Sequence, residues 1–249
     1  AIIEPTSLPT PALPALEKEV IGLSLEGRPL VVYRFGNGPL EQMIVAGIHG
    51  GYEWNTVVLA DQLIDFLKNN PGAVPDDRSL YILRVFNPDG YARSTGVNGR
   101  ANSRNVDLNR NFPHNWRSEW PLAGCWSYQP INGGTEPVSE PETSALINFI
   151  NNHQIDSLIS YHSAALGIFP GGQPPDTNSL ALAESIAEIS PYPYPPIDLG
   201  CLYTGQLIDW ASDQGIAAVD IELTNHQDSD FEINLAVLST FLSWERVDD

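Results

Sequence analysis

The sequence predicts an α/β fold: a single domain with a mixed, largely parallel central β-sheet flanked by helices. Two patterns carry that expectation. Residues 43–48, 80–86, 157–161 and 217–223 are short apolar runs, the pattern of strands buried on both faces. Residues 54–69 place Val57, Val58, Ala60, Leu63, Ile64 and Leu67 at three- and four-residue steps, which marks a helix with one apolar stripe. Residues 140–152, 178–189, 206–213 and 232–244 read as further helices, and strands alternating with helices build a largely parallel sheet. At 249 residues the chain suits one large domain with a full core.

The elements follow in order. Residues 1–18 hold Pro5, Pro9, Pro11 and Pro14. Proline fixes φ and removes a backbone donor, so an extended proline-rich arm precedes a domain running over residues 19–249. Residues 19–25 and 29–34 flank Glu26-Gly27-Arg28 as a hairpin. The strand at 43–48 leads into the helix at 54–69, which stops at Asn70-Pro71-Gly72. The strand at 80–86 ends in the turn Asn87-Pro88-Asp89-Gly90. Residues 91–139 show little period. A loop this long in a compact domain is functional or disordered, and Trp116, Trp120, Trp126 and Tyr128 argue for order. Pro141 suits the first turn of the next helix. His162 directly follows the strand at 157–161. Pro191, Pro193, Pro195 and Pro196 then make a rigid connector before the short helix at 206–213.

Composition excludes some classes of partner. A net charge of −19 argues against nucleic acid and favours solubility. No apolar run approaches the roughly 18 residues of a membrane span. A signal-peptide pattern is absent, and the chain starts at Ala1 rather than Met, so a segment removed upstream is one expectation. Cys125 and Cys201 fit one disulfide or two reduced thiols.

Three stretches carry chemistry. In Gly47-Ile48-His49-Gly50-Gly51-Tyr52-Glu53, a strand breaks at two glycines before a helix. His49 therefore sits at the carboxyl end of a strand, where α/β sheets bind ligands, and Glu53 at the start of a helix. With His162 from a second strand end, two His and one Glu form the ligand set of a hydrolytic zinc site. The alternative is a surface His, a helix-capping Glu and a His bonded to backbone. In the strand at 217–223, Asp220 and Glu222 point the same way. Carboxylates in an apolar strand are costly unless used, and one there can take a proton from water; the alternative is a partly exposed edge strand. In Asp107-Leu108-Asn109-Arg110-Asn111-Phe112, neighbouring Asn and Arg can grip a carboxylate, and Asp107 can accept from a histidine ring nitrogen. His114, His153 and His226 read as surface or loop histidines. No Gly-x-Ser-x-Gly turn occurs, which argues against a serine hydrolase.

These stretches occur together with Asn87-Pro88-Asp89-Gly90, Ser139-Glu140-Pro141-Glu142-Thr143, Tyr161-His162-Ser163, Ile208-Asp209-Trp210 and Ile221-Glu222-Leu223. In that order they resemble the zinc metallocarboxypeptidases of the M14 family, the carboxypeptidase A-like clan, from about residue 20 to residue 241. Ser-Glu-Pro-Glu-Thr and the short loop before Asp107 are closer to compact bacterial members, some of which cut peptidoglycan stem peptides. The resemblance implies a zinc-dependent exopeptidase that hydrolyses the C-terminal peptide bond. Alternatives are a peptidoglycan stem-peptide amidase or deacylase on the same scaffold, and a zinc-free carboxylate-binding module. It implies one zinc per chain held by His49, Glu53 and His162. Glu222 would be the general base and later proton donor, and Asp107 would support His49. Asn109 and Arg110 would bind the substrate's free C-terminal carboxylate. Arg100 would stabilise the oxyanion, with Arg104 as second choice, and Tyr203 would close over the substrate. Ile208, before Asp209-Trp210, would lie in the side-chain pocket and favour neutral apolar or aromatic C-terminal residues. If Tyr203 caps the site, Cys201 lies at its rim and Cys125 should pair with it. A monomer, secreted or in the cell envelope, is expected, with the cytoplasm left open.

The chain departs from the family pattern in one important place. The family spaces its first two ligands His-x-x-Glu, whereas here the run is His49-Gly50-Gly51-Tyr52-Glu53. The extra residue either bulges at the glycine pair and returns Glu53 to the metal, or weakens the site. The segment from Tyr203 to Asp209 is also shortened.

Overall fold

The computed structural model describes residues 17–119, 132–197, 200 and 203–247. The expected arm up to residue 16 and the expected Cys125–Cys201 pairing lie outside the described residues. The strands are β1 (Glu17–Leu23), β2 (Pro29–Gly36), β3 (Leu40–Val45), β4 (Arg78–Leu83), β5 (Ile155–Ser163), β6 (Gly167–Pro170) and β7 (Ala217–Leu223). The helices are α1 (Trp54–Asn69), α2 (Pro88–Arg93), α3 (Pro141–Asn151), α4 (Thr177–Ala187), α5 (Leu207–Asp213) and α6 (Phe231–Ser243).

The strands form one 7-stranded sheet in the order β1-β2-β4-β3-β5-β7-β6. Its middle is parallel: β3 pairs with β4 and β5, and β5 pairs with β7. Antiparallel pairs lie outside, with β1 and β2 next to β4 on one side and β6 next to β7 on the other. The expected mixed, largely parallel sheet is thus present, with its parallel strands at the centre, where helices cover both faces. On one face α1, α4 and α6 bring Leu59, Leu63, Leu182, Leu238 and Phe241 against Ile44, Ile82, Ile159 and Val219. On the other, α3 and α5 bring Leu146, Phe149, Leu207 and Trp210 against Met43, Val45, Leu158 and Ala218. Each such side chain stabilises by roughly 1.5–3 kcal/mol when fully buried.

Several local expectations change. The first strand begins at Glu17, two residues before the expected start. The expected turn at Asn87–Gly90 continues as α2, because Pro88 sits in its first turn and the Asn87 side chain accepts from Gly90 N at 2.9 Å. His162 lies within β5, which runs on to Ser163. β6 was not expected, since 4 residues are too few to show a period. The unpatterned loop after α2 is anchored by buried Val106, Leu108 and Phe112.

Candidate metal centre

His49 and Glu53 lie just past the carboxyl end of β3, and His162 lies near that of β5. The two strands are hydrogen-bonded neighbours, so their ends deliver the three side chains to one place. The extra residue between His49 and Glu53 is taken up by a 3-10 turn, Gly50–Glu53, in which Gly50 has φ +50° and Tyr52 N donates to His49 O at 3.1 Å. Glycine is required here. A Cβ at Gly50 would lie 2.6 Å from Gly99 O, and one at Gly51 would lie 2.1 Å from Ser94 O. Bare backbone lets the turn press against the chain around α2 and swings Glu53 back.

One donor atom from each of His49, Glu53 and His162 lies within 4.8 Å of the others, and all three residues are buried. His49 Nδ1 is 2.7 Å from Glu53 Oε1 and 3.2 Å from His162 Nδ1. Glu53 Oε2 is 3.2 Å from His162 Nδ1, yet outside hydrogen-bond geometry. The outer ring nitrogens are occupied. His49 Nε2 lies 3.2 Å from Asp107 Oδ1, and His162 Nε2 lies 3.0 Å from Ser160 Oγ. A carboxylate can only accept, so Glu53 Oε1 at Nδ1 and Asp107 Oδ1 at Nε2 compete for the His49 proton, and a cation bound at Nδ1 would leave that proton on Nε2 against Asp107. Burial pushes the Asp107 carboxyl upward, but the charges of Arg100 and His49 outweigh it and hold it well below the usual range.

This donor set fits a zinc ion. Two imidazole nitrogens face each other beside a carboxylate oxygen that makes no hydrogen bond, and burial makes such a gathering costly without a cation. Glu53, Asp107, Asp220 and Glu222 also outnumber the guanidiniums of Arg100 and Arg110 in the same region, an excess that a cation offsets.

The remaining expected residues surround this point. β7 lies beside β5 with Glu222 level with His162 and Asp220 level with Ser160. Glu222 Oε2 accepts from Ala165 N at 2.9 Å. Burial, with the charges of Glu53 and Asp220 adding to it against His162, pushes the Glu222 carboxyl up to about 7. Arg100 is buried with its Nε 3.0 Å from Asp107 Oδ2 and its Nη1 3.5 Å from Glu53 Oε1, beside the ring of Tyr52. Arg104 instead pairs with Glu140 at 3.1 Å, which leaves Arg100 as the arginine next to the ligands. Asn109 is held by its side-chain oxygen, which accepts from Leu207 N at 2.9 Å, and its Nδ2 lies 3.5 Å from His162 Nε2. Buried Arg110 donates to Asn109 O at 2.6 Å and lies over the Tyr203 ring at 4.8 Å. Ile208 is buried at the start of α5 within the apolar layer that also holds Leu207 and Trp210. Nine of the ten expected site residues thus lie around one point, while Ile208 belongs to the apolar layer of α5.

Residues beyond that set also take part. Ser160 binds His162, and Tyr52 touches both Arg100 and the ring of His226. Ser160 was findable, since it alternates with His162 as Asp220 does with Glu222. His114, expected at the surface or in a loop, is buried, with Nδ1 2.5 Å from Asp213 Oδ2 at the end of α5.

Comparison with known proteins agrees with this geometry. The family model described as zinc carboxypeptidase, of the M14 peptidases, matches residues 12–238. Mast cell carboxypeptidase A of Homo sapiens is 31% identical over 235 residues, covering 79% of this chain and 54% of the relative. The chain therefore spans about half the length of that relative. Murein peptide amidase A of Escherichia coli is 29% identical over 238 residues, covering 92% of this chain and 91% of the relative. The structure of bovine thrombin-activatable fibrinolysis inhibitor bound to tick carboxypeptidase inhibitor superposes with a TM-score of 0.71 at 25% identity, covering 92% of this chain and 89% of that one. Among the described residues no helix is long and apolar enough to cross a membrane. With a family match over nearly all of its length, and a His-Glu-His cluster at the carboxyl edge of the expected sheet, this chain belongs to the zinc carboxypeptidase family.

Proposed function

We propose that the protein is a zinc-dependent exopeptidase that releases the C-terminal residue of peptides. The observation that carries this reading is the convergence of His49 Nδ1, Glu53 and His162 Nδ1 beside Glu222 and the Asn109–Arg110 pair. His49, Glu53 and His162 would hold one zinc per chain, and bound zinc supplies Lewis acidity to the scissile carbonyl. Asn109 and Arg110 hold the substrate's terminal carboxylate through charge-assisted hydrogen bonds. Glu222, with its carboxyl near neutrality, takes a proton from the attacking water and returns it to the leaving amine. Arg100, held beside Glu53 and Asp107, would donate to the negative charge that develops on the carbonyl oxygen. Tyr203, resting against Arg110, covers the bound residue.

The test is elemental analysis of protein kept free of chelators, with assays on blocked dipeptides. Expected are one zinc per chain, loss of that zinc in His162→Ala, and release of free C-terminal residues. Removing the Arg110 guanidinium should weaken cleavage of free-carboxylate substrates, while amidated ones change little. Absence of zinc, or no release from any dipeptide, overturns the reading.

A second reading is favoured by a specific observation. The chain matches murein peptide amidase A along nearly its whole length, but only half of mast cell carboxypeptidase A. A stem-peptide amidase would use the same residues on a peptide ending in diaminopimelate. Cleavage of that peptide alone selects this reading. The converged donor atoms count against a zinc-free binding module. A secreted or cell-envelope location suits both readings, because exported peptides and murein lie outside the cytoplasmic membrane.

A further inference from the structure

Two carboxylates belong to the elements beside the metal centre, Asp209 on α5 and Asp220 on β7, and their surroundings differ. Asp209, in the first turn of α5, is spent. Its Oδ1 accepts from Gly172 N at 2.9 Å and its Oδ2 from Gln173 Nε2 at 2.8 Å. Asp220 is not. It is only 4% exposed, and its Oδ1 makes no hydrogen bond among the described residues. His162 Nε2 stands 3.4 Å away as an ion-pair partner, outside hydrogen-bond geometry, and that nitrogen has a closer partner in Ser160 Oγ at 3.0 Å. Leaving a buried carboxylate oxygen without a donor is costly, and such an atom in a cleft marks a place where a ligand supplies what the protein does not.

The position of Asp220 shows what that ligand is. It lies on the same face of β7 as Glu222, level with Ser160 on β5 and Phe169 on β6. That floor lies beneath α5, which packs on β7 and is tied to Asn109 through Leu207 N. Burial lowers the Arg110 guanidinium's pKa, and the charge of Asp220 is among those that oppose it. A C-terminal residue whose carboxylate is held at Arg110 would send its side chain over Ser160 and Asp220.

We propose that Asp220 is a specificity-determining residue, and that the released C-terminal residue carries a positively charged side chain held by its carboxylate. This rests on the exopeptidase reading and names the substrate class within it. Ile208 then lines an apolar stretch for the methylenes of a long side chain, while its head reaches Asp220. An ammonium or guanidinium satisfies Oδ1 through a charge-assisted hydrogen bond. Lysine, arginine and diaminopimelate all offer such a cation, from ordinary peptides or from murein.

The experiment compares blocked dipeptides ending in Lys, Arg, norleucine, Phe and diaminopimelate on the zinc-loaded protein and on Asp220→Asn. Lysine and norleucine share a chain and differ in the charge. Expected is a kcat/KM for Lys or Arg at least about tenfold above norleucine, or the same advantage for diaminopimelate, with the ratio collapsing in Asp220→Asn. An advantage confined to diaminopimelate assigns the cation to cell-wall peptides; one shared with Lys and Arg assigns it to ordinary peptides. Norleucine or Phe equalling all three cationic peptides, diaminopimelate included, overturns the proposal while leaving the exopeptidase reading intact. An equal loss on all substrates in Asp220→Asn overturns it in favour of a residue that merely orients His162. No release of any residue removes the exopeptidase reading, and this inference falls with it. Calorimetry on wild-type protein gives a check that does not depend on folding of the variant: free L-lysine or diaminopimelate should bind more tightly than L-norleucine, and equal binding of all three overturns the proposal.

Discussion

Two clusters of buried carboxylates can be compared in this molecule, and they are built on opposite principles. Around Asp89, Glu140 and Glu142 every charge is met. Asp89 accepts from Ser24, Arg28, Ser103 and Glu26 N at 2.6–3.1 Å. Glu140 accepts from Asn102 at 2.7 Å, Arg104 at 3.1 Å and Ser139 at 2.8 Å. Glu142 takes Leu25 N at 3.2 Å. Around His49, Glu53, His162 and Asp220 the accounting is incomplete, with two facing ring nitrogens and carboxylate oxygens that lack a hydrogen bond. Burial is similar in both places. The difference lies in satisfaction: the first cluster stitches the long loop to β1 and α3, and the second leaves room for partners that arrive later.

The comparison can be broken by substitution. The largest effect is expected for Glu222→Gln, which keeps the shape of the site and removes its base. Turnover should fall by ~10²–10⁴-fold while zinc content and melting midpoint hold. A residual rate within threefold of wild type would place the base elsewhere. Asp107→Asn should weaken zinc binding by roughly 10–100-fold, because the imidazole of His49 loses a charged acceptor and the amide must turn its NH2 toward one of the groups that donate to Asp107 now; competition with a fluorescent chelator reads this directly. Asn102→Ala strikes the saturated cluster. It strips the best amide donor from Glu140 and bares the N–H groups of Arg104 and Val106, which its side chain accepts at 3.0 Å each. About 1–3 kcal/mol is lost for each group left bare. The midpoint should drop while metal affinity per folded molecule is unchanged, and a selective loss of zinc would erase the distinction between the clusters.

The smallest effect sharpens the comparison through pH. Burial raises the Asp89 carboxyl, but hydrogen bonds from Ser24, Arg28 and Ser103 outweigh it and hold the group below its ordinary value. A depressed carboxylate contributes stability above its unfolded pKa and loses it as pH falls through the folded one. Asp89→Asn should therefore be less stable than wild type at neutral pH, and the gap should shrink in acid below the ordinary aspartate range. A gap that widens in acid would reverse the assignment.

Much of the site was legible because its residue types carry chemistry wherever they stand. His49, His162 and Glu222 at strand ends could be placed by the period-2 and period-3.6 patterns alone. The four-residue step from His49 to Glu53 could not be resolved that way, since nothing in the letters distinguishes a 3-10 turn from another path; the contact of Gly50 and Gly51 with the backbone around α2 returns Glu53 to the two histidines. Arg100 stood ahead of Arg104 only through the resemblance, and what separates them in space is Glu140, which pairs with Arg104 from 36 residues away. Ser160 and Asp220 were half visible through alternation, but which carboxylate lacked a donor depends on Gly172 and Gln173, whose loop has no period.

The short strand β6 has a consequence for how these molecules behave in company. It pairs along β7 from Pro170 opposite Val219 to Gly167 opposite Glu222, so the strand carrying both acidic residues is internal. Without it, the N–H and C=O groups of β7 would form an open border against which another chain could align, next to the His-Glu-His cluster. The border that remains is 4 residues long and ends in a proline, which offers no N–H. At the opposite margin β1 shows solvent the alternating charges Glu17, Lys18 and Glu19. Both margins discourage strand-by-strand stacking, so the sheet can keep a reactive edge without inviting aggregation.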